Sequence, residues 1–149
     1  MKSYATHKKA RFDYEILDTL EAGLVLSGME VKAVRAGQVK LTGGFINIHN
    51  DEAFLVNAHI SRYKYSGADD DYEPDKSRKL LLKQREIAYL KGKTQERGLT
   101  IVPLSMYNSG RLIKVQIGIG RGKKKHDKRE TIKKRDLDRE TRRAIKGDL

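Results

Sequence analysis

The chain has 149 residues, the size of one typical domain. Hydrophobic residues make up 38% and charged residues 35%, so we expect part of the chain to stay outside any core. The net charge of +12 favours a polyanionic partner, nucleic acid rather than a membrane, because no long apolar run or basic amphipathic helix accompanies it. The chain has no Cys, which excludes disulfides and thiol catalysis, and residues 1–14 lack the apolar stretch of a secretory signal, so we expect a cytoplasmic setting.

Residues 1–120 carry recurrent strand signals and are predicted to form the folded domain. The signals are an alternation over 11–16, a short apolar run at 23–27, runs at 45–48 and 53–58 around a turn at 49–52, and runs at 101–106 and 113–119 around a turn at 108–110. The two pairs of runs that flank a turn predict two β-hairpins.

Two segments predict helices among these strands. One covers 28–36 and stops at Gly37, and the other runs from Ser77 to about Arg97 and ends at Gly98. Five to seven short strands with inserted helices predict a mainly β fold, a barrel of the oligonucleotide-binding type, because closure removes exposed sheet edges. An α+β sandwich is the alternative.

Residues 121–149 form a basic C-terminal tail with a net charge of +7, against +5 for residues 1–120. The tail has no aromatic residue, and its acidic residues precede basic ones at helical spacing, as in Glu130 with Lys134. Each such pair is worth about 0.2 to 0.5 kcal/mol, too little to hold an isolated helix. We therefore expect a tail that is disordered when free and becomes helical when bound to an anionic partner; a solubilising tail is the alternative. The glycines between 118 and 122 are predicted to be the hinge before it.

Residue types for catalysis or metal binding are sparse. The four His show no metal-ligand spacing, the stretch 118–123 lacks the spacing of a phosphate-binding loop, and the acidic stretch 69–75 lacks the Gly and Glu of a helix-loop-helix calcium site. We expect no enzyme activity, metal or cofactor. Tyr63, Tyr65 and Tyr72 could stack on bases, but packing beside a strand end is favoured, and no role is assigned to them.

Six short motifs lie in register along the chain between about residues 7 and 146. They are Lys8-Lys9-Ala10-Arg11 with Tyr14, Glu21-Ala22-Gly23 with Leu26, residues 28–32 with 35–37, residues 52–55, residues 78–82, and residues 122–124 with 126–129. In this order they resemble the small protein B family, the SsrA-binding proteins that are the partners of transfer-messenger RNA in bacterial trans-translation.

The resemblance implies a non-enzymatic protein whose residues 1–120 form an RNA-binding domain, an oligonucleotide-binding-type barrel. In that family the barrel binds the transfer-RNA-like domain of transfer-messenger RNA, assists its alanylation by alanyl-tRNA synthetase, and accompanies it with elongation factor Tu and GTP to stalled ribosomes. The tail then lies in the decoding centre and messenger channel, against small-subunit ribosomal RNA. A general single-stranded RNA-binding protein and a ribosome-associated structural protein are the alternatives.

The resemblance also assigns two sets of residues. The RNA-binding set is Lys8, Lys9, Arg11, Tyr14, Glu21, Arg78, Lys79 and Leu81. The ribosome-facing tail set is Lys123, Lys124, His126, Asp127, Lys128, Arg129, Lys133, Lys134, Arg135 and Leu137. The alternatives are a structural salt bridge for Glu21 and core packing for Leu81. His7 stands where the family often has Asn, so no role is carried onto it.

Overall fold

Strands dominate the computed structural model, which describes residues 3–65, 71–123, 129, 132, 133 and 135. The strands are β1 (Ser3–Thr6), β2 (Tyr14–Leu24), β3 (Val39–Lys40), β4 (Phe45–His49), β5 (Glu52–Val56), β6 (His59–Ile60), β7 (Arg78–Leu81), β8 (Leu99–Ser109) and β9 (Leu112–Gly122). The helices are α1 (Lys8–Asp13), α2 (Gly28–Arg35) and α3 (Gln84–Thr94), and residues 129, 132, 133 and 135 are also helical.

Seven strands form one antiparallel sheet in the order β1-β8-β9-β2-β7-β5-β4, and β3 pairs with β6 in a separate two-stranded sheet. The edge strand β4 packs against β8, next to the opposite edge, so the sheet curls into a partly open barrel. The register shifts between Ile16 and Asp18 in β2 and between Pro103 and Ser105 in β8. Such bulges help long strands to coil. The mainly β, oligonucleotide-binding-type barrel with inserted helices is confirmed.

The core lies inside the curled sheet. The predicted alternation in β9 is present: Ile113, Val115, Ile117 and Ile119 are all buried. The helices α2 and α3 close the barrel with further apolar side chains, among them the fully buried Leu90 of α3.

Both predicted hairpins are present. The turn between β4 and β5 places Asn50 and Asp51 at φ values of 49° and 59°, the left-handed conformation that Asn and Asp tolerate best among residues with side chains. The turn between β8 and β9 contains Gly110, at a φ of 61°, and Arg111, so it ends one residue later than predicted.

The predicted helix from Ser77 is wrong at its start, because residues 78–81 form β7 and α3 begins only at Gln84. In β7 the Arg78 and Leu80 side chains are buried, whereas Lys79 and Leu81 point outward. Pairing with β2 and β5 therefore overrides the helix propensity of Arg, Lys and Leu. The first predicted helix is correct; α2 begins with a capping box between Ser27 and Glu30.

The predicted strands differ in extent from those observed. The alternation expected from residue 11 begins at Tyr14, because residues 8–13 form α1, and the run at 23–27 holds the end of β2 rather than a separate strand. The short strands β1, β3 and β6 were not predicted.

The predicted glycine hinge is also wrong. Gly118 and Gly120 lie buried within β9, which continues to Gly122, two residues past the predicted domain boundary at 120. A Cβ atom on Gly118 would lie 2.9 Å from Leu104 Cδ1, and one on Gly120 would lie 2.9 Å from Tyr14 Cβ. These glycines therefore allow close packing against neighbouring side chains.

Candidate nucleic-acid interface

A groove of about 650 Å³ lies on the outer face of the barrel, where β2, β7 and β9 meet the start of α3. The pairing of β2 with β7 places Gly23 opposite Leu81, and the pairing with β9 places it opposite Lys114. Because Gly23 has no side chain, the side chains of both neighbours approach its backbone closely. A Cβ atom at Gly23 would lie 3.2 Å from Leu81 Cβ and 3.5 Å from Lys114 Nζ. Glu21, two residues along β2, also lines the groove, so three chemically different side chains converge around Gly23.

Leu81 is 55% exposed although it belongs to a strand in the middle of the sheet. The alternation of β7 buries Leu80 and turns Leu81 outward. Core packing, the alternative for Leu81, is therefore excluded. An exposed apolar side chain in a polar groove gives an RNA a surface on which a base or ribose can pack.

Glu21 is held by a hydrogen bond: the Tyr107 hydroxyl donates to Glu21 Oε2 at 2.5 Å. Burial, together with this carboxylate, raises the pKa of Tyr107 to about 12. The phenol thus keeps its proton at neutral pH and remains a donor. The alternative for Glu21 was a structural salt bridge, but among the described residues its partner is this hydroxyl group. The remaining lone pairs of the carboxylate can accept hydrogen bonds from base amino groups or ribose hydroxyls.

Charged side chains of both signs line the groove: three lysines and, besides Glu21, the carboxylates of Asp51, Glu52 and Glu86. Lys79, Lys83 and Lys114 line the groove, and Lys79 Nζ lies 3.7 Å from Glu52 Oε1 at an exposed position. An exposed ion pair of this kind is worth little and exchanges readily for a phosphate. Sequence analysis missed Lys83 and Lys114; the alternation of β9 turns Lys114 outward, but only the register with Gly23 shows that it meets Glu21 and Leu81.

The predicted RNA-binding set divides between the two ends of β2. Glu21, Lys79 and Leu81 share the groove, whereas Lys8, Lys9 and Arg11 are exposed on α1 and Tyr14 is half-buried at the start of β2. Tyr14 and Glu21 are seven residues apart, so at about 3.3 Å per residue the two groups are separated by about 20 Å.

Arg78 does not belong to this surface. Its guanidinium is buried and donates through Nε and NH2 to Glu30 Oε2, at 2.9 and 2.8 Å. It also donates through NH1 to the carbonyls of Ala58 and Pro74, each at 2.8 Å. The prediction that Arg78 contacts RNA is wrong, because its donors are used to join α2, β7 and the connection between β6 and β7.

The same network fixes the charge of Glu30 and the position of Tyr72. Burial works against the ionised form of Glu30, but the Ser27 amide, the Arg78 guanidinium and Lys76 outweigh it and hold the pKa below its usual value. The Tyr72 hydroxyl donates to the Ile60 carbonyl at 2.7 Å and accepts from Arg78 NH2 at 3.1 Å. Tyr72 therefore has the packing role that was favoured for it.

His7 and Tyr65 have different surroundings. His7 is buried, with Nδ1 2.9 Å from the Pro103 carbonyl oxygen and its amide donating to the Leu104 carbonyl, so it fixes the start of α1 on β8. Tyr65 is exposed, and its ring meets that of Tyr63 edge-on at 5.4 Å between centroids.

The described part of the tail contacts α1. The Lys123 amide donates to the Asp13 carbonyl at 2.8 Å, and Lys123 Nζ donates to the Arg11 carbonyl at 3.1 Å. The Arg135 guanidinium lies 5.3 Å from the centre of the Phe12 ring, and Arg129, Lys133 and Arg135 are exposed. The remaining predicted tail residues lie outside the described residues: Lys124, His126, Asp127, Lys128, Lys134 and Leu137.

Two other kinds of site were sought in the described part of the chain. No group of three or more His, Asp or Glu side chains there is arranged to hold a metal ion. None of the described helices has the length and apolar character needed to cross a membrane.

Comparisons with known proteins identify the family to which the chain belongs. The family model described as SmpB protein matches residues 4–147. The SsrA-binding protein of Acaryochloris marina (strain MBIC 11017) is 51% identical over 145 residues, covering 97% of this chain and 94% of the relative. The SsrA-binding protein of Leuconostoc mesenteroides subsp. mesenteroides is 53% identical over 143 residues, covering 96% and 92%.

A solved structure shares the fold. It is described as "tmRNA-SmpB: a journey to the center of the bacterial ribosome", and it superposes with a TM-score of 0.68 at 42% identity, covering 85% of this chain and 92% of that chain. Because the family model spans nearly the whole chain and relatives about half identical do the same, this chain belongs to the SmpB protein family.

Proposed function

We propose that this chain binds the transfer-RNA-like domain of transfer-messenger RNA, the SsrA RNA, in the bacterial cytoplasm and acts with it on stalled ribosomes. The observation that carries the proposal is the convergence of Glu21, Leu81 and Lys114 around Gly23. The names of its relatives support the partner, since they are SsrA-binding proteins, and the structural neighbour is described together with tmRNA and the ribosome.

The chemistry of the groove favours a folded RNA over an unstructured strand. Proteins that bind single strands without sequence preference stack successive bases on aromatic side chains, whereas the described lining of this groove has none. Its carboxylates, the exposed Leu81 and its lysines suit ribose, base edges and phosphates displayed at fixed positions by a folded RNA. This observation favours transfer-messenger RNA over the general single-stranded RNA-binding alternative.

Affinity measurements on groove variants test the proposal. Glu21→Ala is expected to weaken binding of the transfer-RNA-like domain by about 1 to 3 kcal/mol, the range for a hydrogen bond to a charged group, and Leu81→Ala is expected to weaken it as well. Leu112→Ala is the matched control, because Leu112 is an exposed leucine at the start of β9 that does not line the groove. Circular dichroism checks that each variant is folded. Equal affinities for Leu81→Ala and Leu112→Ala would exclude Leu81 from the interface.

We further propose that binding assists alanylation of the RNA by alanyl-tRNA synthetase and that the complex travels with elongation factor Tu and GTP. In this proposal the tail occupies the decoding centre and the empty messenger channel, where its charge meets small-subunit ribosomal RNA. Support comes from the tail's net charge of +7 and from the hydrogen bonds that tie Lys123, near its start, to α1.

A triple variant separates the role of the tail from that of the groove. Replacing Asp127, Lys128 and Arg129 together by Ala removes two cations from a multi-contact interface, so affinity for the RNA is expected to stay within about tenfold. Peptide tagging on stalled ribosomes is nevertheless expected to fail. A folded triple variant with an RNA affinity as low as that of Glu21→Ala would contradict this division.

A further inference from the structure

A row of four residues crosses the sheet beside the groove. In this row Tyr107 of β8 lies opposite Lys114 of β9. Lys114 lies opposite Gly23 of β2, and Gly23 lies opposite Leu81 of β7. Residues paired across neighbouring strands point to the same face of a sheet. Tyr107 therefore lies on the face that carries the groove, although it does not belong to the described groove lining.

The Tyr107 hydroxyl reaches Glu21 across an intervening strand. Adjacent strands lie about 4.8 Å apart, so the backbones of β8 and β2 are about 10 Å apart, with β9 between them. Glu21 lies opposite Gln116 of β9, two residues along that strand from Lys114. The hydrogen bond from the Tyr107 hydroxyl to Glu21 Oε2, of 2.5 Å, therefore runs diagonally over β9. Two long side chains are needed to span this distance.

Glu21 and Lys114 are oppositely charged diagonal neighbours on β2 and β9. Diagonal neighbours lie about 7 to 8 Å apart, a distance that two long side chains can close. Yet within the described part of the chain no ion pair joins them. The carboxylate is bound by the Tyr107 hydroxyl, and Lys114 Nζ lies over Gly23, 3.5 Å from the position of a Cβ atom there. The two charges are thus held apart.

We propose that Tyr107 is a positioning residue of the groove: its hydroxyl holds the Glu21 carboxylate and so prevents it from pairing with Lys114. Without this hydroxyl the two side chains would neutralise each other, and an RNA would have to break their ion pair before it could bind either one. With it, the carboxylate accepts hydrogen bonds and the ammonium binds a phosphate at no such cost. The inference rests on the function proposed above and adds to it a residue outside the groove lining.

Tyr107→Phe tests the proposal in the full-length chain, because it removes the hydroxyl and keeps the ring. The variant is expected to bind the transfer-RNA-like domain about fivefold more weakly, the cost of first breaking a largely exposed ion pair. Tyr89→Phe is the matched control: the Tyr89 hydroxyl also donates to a carboxylate, Asp18 Oδ2 at 2.8 Å, but Tyr89 lies outside the groove lining. It is expected to keep the affinity of the unaltered chain. Equal affinities for the two folded variants would overturn the proposal.

Two further backgrounds separate positioning from a general structural role. Glu21→Gln carries no charge at that position and Lys114→Met has no ammonium, so neither variant can form the ion pair. Adding Tyr107→Phe to either one is therefore expected to cause no further loss of RNA affinity. A structural defect in β8 would instead lower the affinity by the same factor in every background. That result would refute the positioning role.

Salt gives a readout of the ion pair itself. Screening weakens exposed pairs, so the loss of affinity in Tyr107→Phe, relative to the unaltered chain, is expected to shrink as salt is raised from about 0.05 M to about 0.5 M. A loss that stays constant over this range would contradict the proposal.

The outcome is separable from that of the proposed function. If Glu21→Ala weakens binding of the transfer-RNA-like domain and Tyr107→Phe does not, only the positioning role of Tyr107 fails. If neither variant weakens binding, the groove is not the RNA site, and both proposals fail.

Discussion

Replacing Arg78 by Met is expected to destabilise the barrel strongly. The substitution keeps an unbranched apolar side chain in place but leaves the Glu30 carboxylate, only 2% exposed, without its guanidinium partner. It also removes the donor shared by the Ala58 and Pro74 carbonyls. Breaking a buried pair by removing one partner costs about 3 to 5 kcal/mol. For a domain of this size that lowers the melting temperature by about 6 to 20 °C.

Urea unfolding followed by circular dichroism measures this loss. Lys79→Met is the matched control, since Lys79 is the next residue of β7 and its ion pair with Glu52 is exposed; its cost is expected to stay below about 1 kcal/mol. The double variant Glu30→Gln with Arg78→Met removes both charges and is expected to lose less than the sum of the single changes. Equal losses for Arg78→Met and Lys79→Met would refute the structural role assigned to Arg78.

The pH dependence gives the same prediction an independent check. The folded-state pKa of Glu30 lies below its usual value of 4.5. The ionised carboxylate therefore contributes to the free energy of unfolding above that pH, and this contribution is lost as the pH falls through the lower pKa of the folded state. In Arg78→Met, only the Ser27 amide and Lys76 oppose the effect of burial, which raises the pKa of Glu30, so that pKa is expected to be higher than in the unaltered chain. The difference in unfolding free energy between the unaltered chain and Arg78→Met should therefore narrow as the pH is lowered from about 7 towards about 4. A gap that widens on acidification would contradict this account.

Three further predictions concern other parts of the chain. Gly120→Ala should cost about 1 to 3 kcal/mol of unfolding free energy because its Cβ would collide with Tyr14 Cβ, while Gly122→Ala, where nothing lies within 4 Å, should be neutral in the same urea titration. In an ultraviolet absorbance titration one tyrosine should ionise at a pH of about 12, and Glu21→Gln should lower that pKa by removing the carboxylate beside Tyr107; an unchanged curve would refute the assigned partner. Truncation after Lys123 should retain binding of the transfer-RNA-like domain in a gel-shift assay but abolish tagging, and an equal loss of both would contradict the separate roles of barrel and tail.

Sequence patterns predicted the elements whose signal is local. The alternation of β9 and the Asn50-Asp51 turn depend on neighbouring residues, and the structure confirms both. The strand at 78–81 could not be predicted in this way, because Arg78 is buried through its ion pair with Glu30, which lies forty-eight positions earlier in the chain. The role of Gly118 was missed for a related reason: only the pairing of distant strands brings Leu104 against it.

The candidate groove was predictable only in part. The family resemblance supplied Glu21, Lys79 and Leu81, which the fold brings together. It also supplied Arg78, which the fold buries. Lys114 carries no local signal that separates it from other outward lysines, and only strand register places it beside Gly23.

The bulge in β2 determines which way its two ends face. Residues an odd number of positions apart in a regular strand point to opposite faces, and Tyr14 and Glu21 are seven apart. In the pairing of β2 with β9, Ile16 lies opposite Gly120 and Asp18 lies opposite the adjacent residue, Ile119. Leu17 is therefore an extra residue without a partner in β9, and it reverses the alternation of β2 side chains between the two faces of the sheet. Tyr14 and Glu21 therefore lie on the same face of the sheet. Deleting Leu17 would restore an unbroken ladder and turn either Tyr14 or Glu21 away from that face, so one unpaired leucine allows both side chains to share one face along the length of the strand.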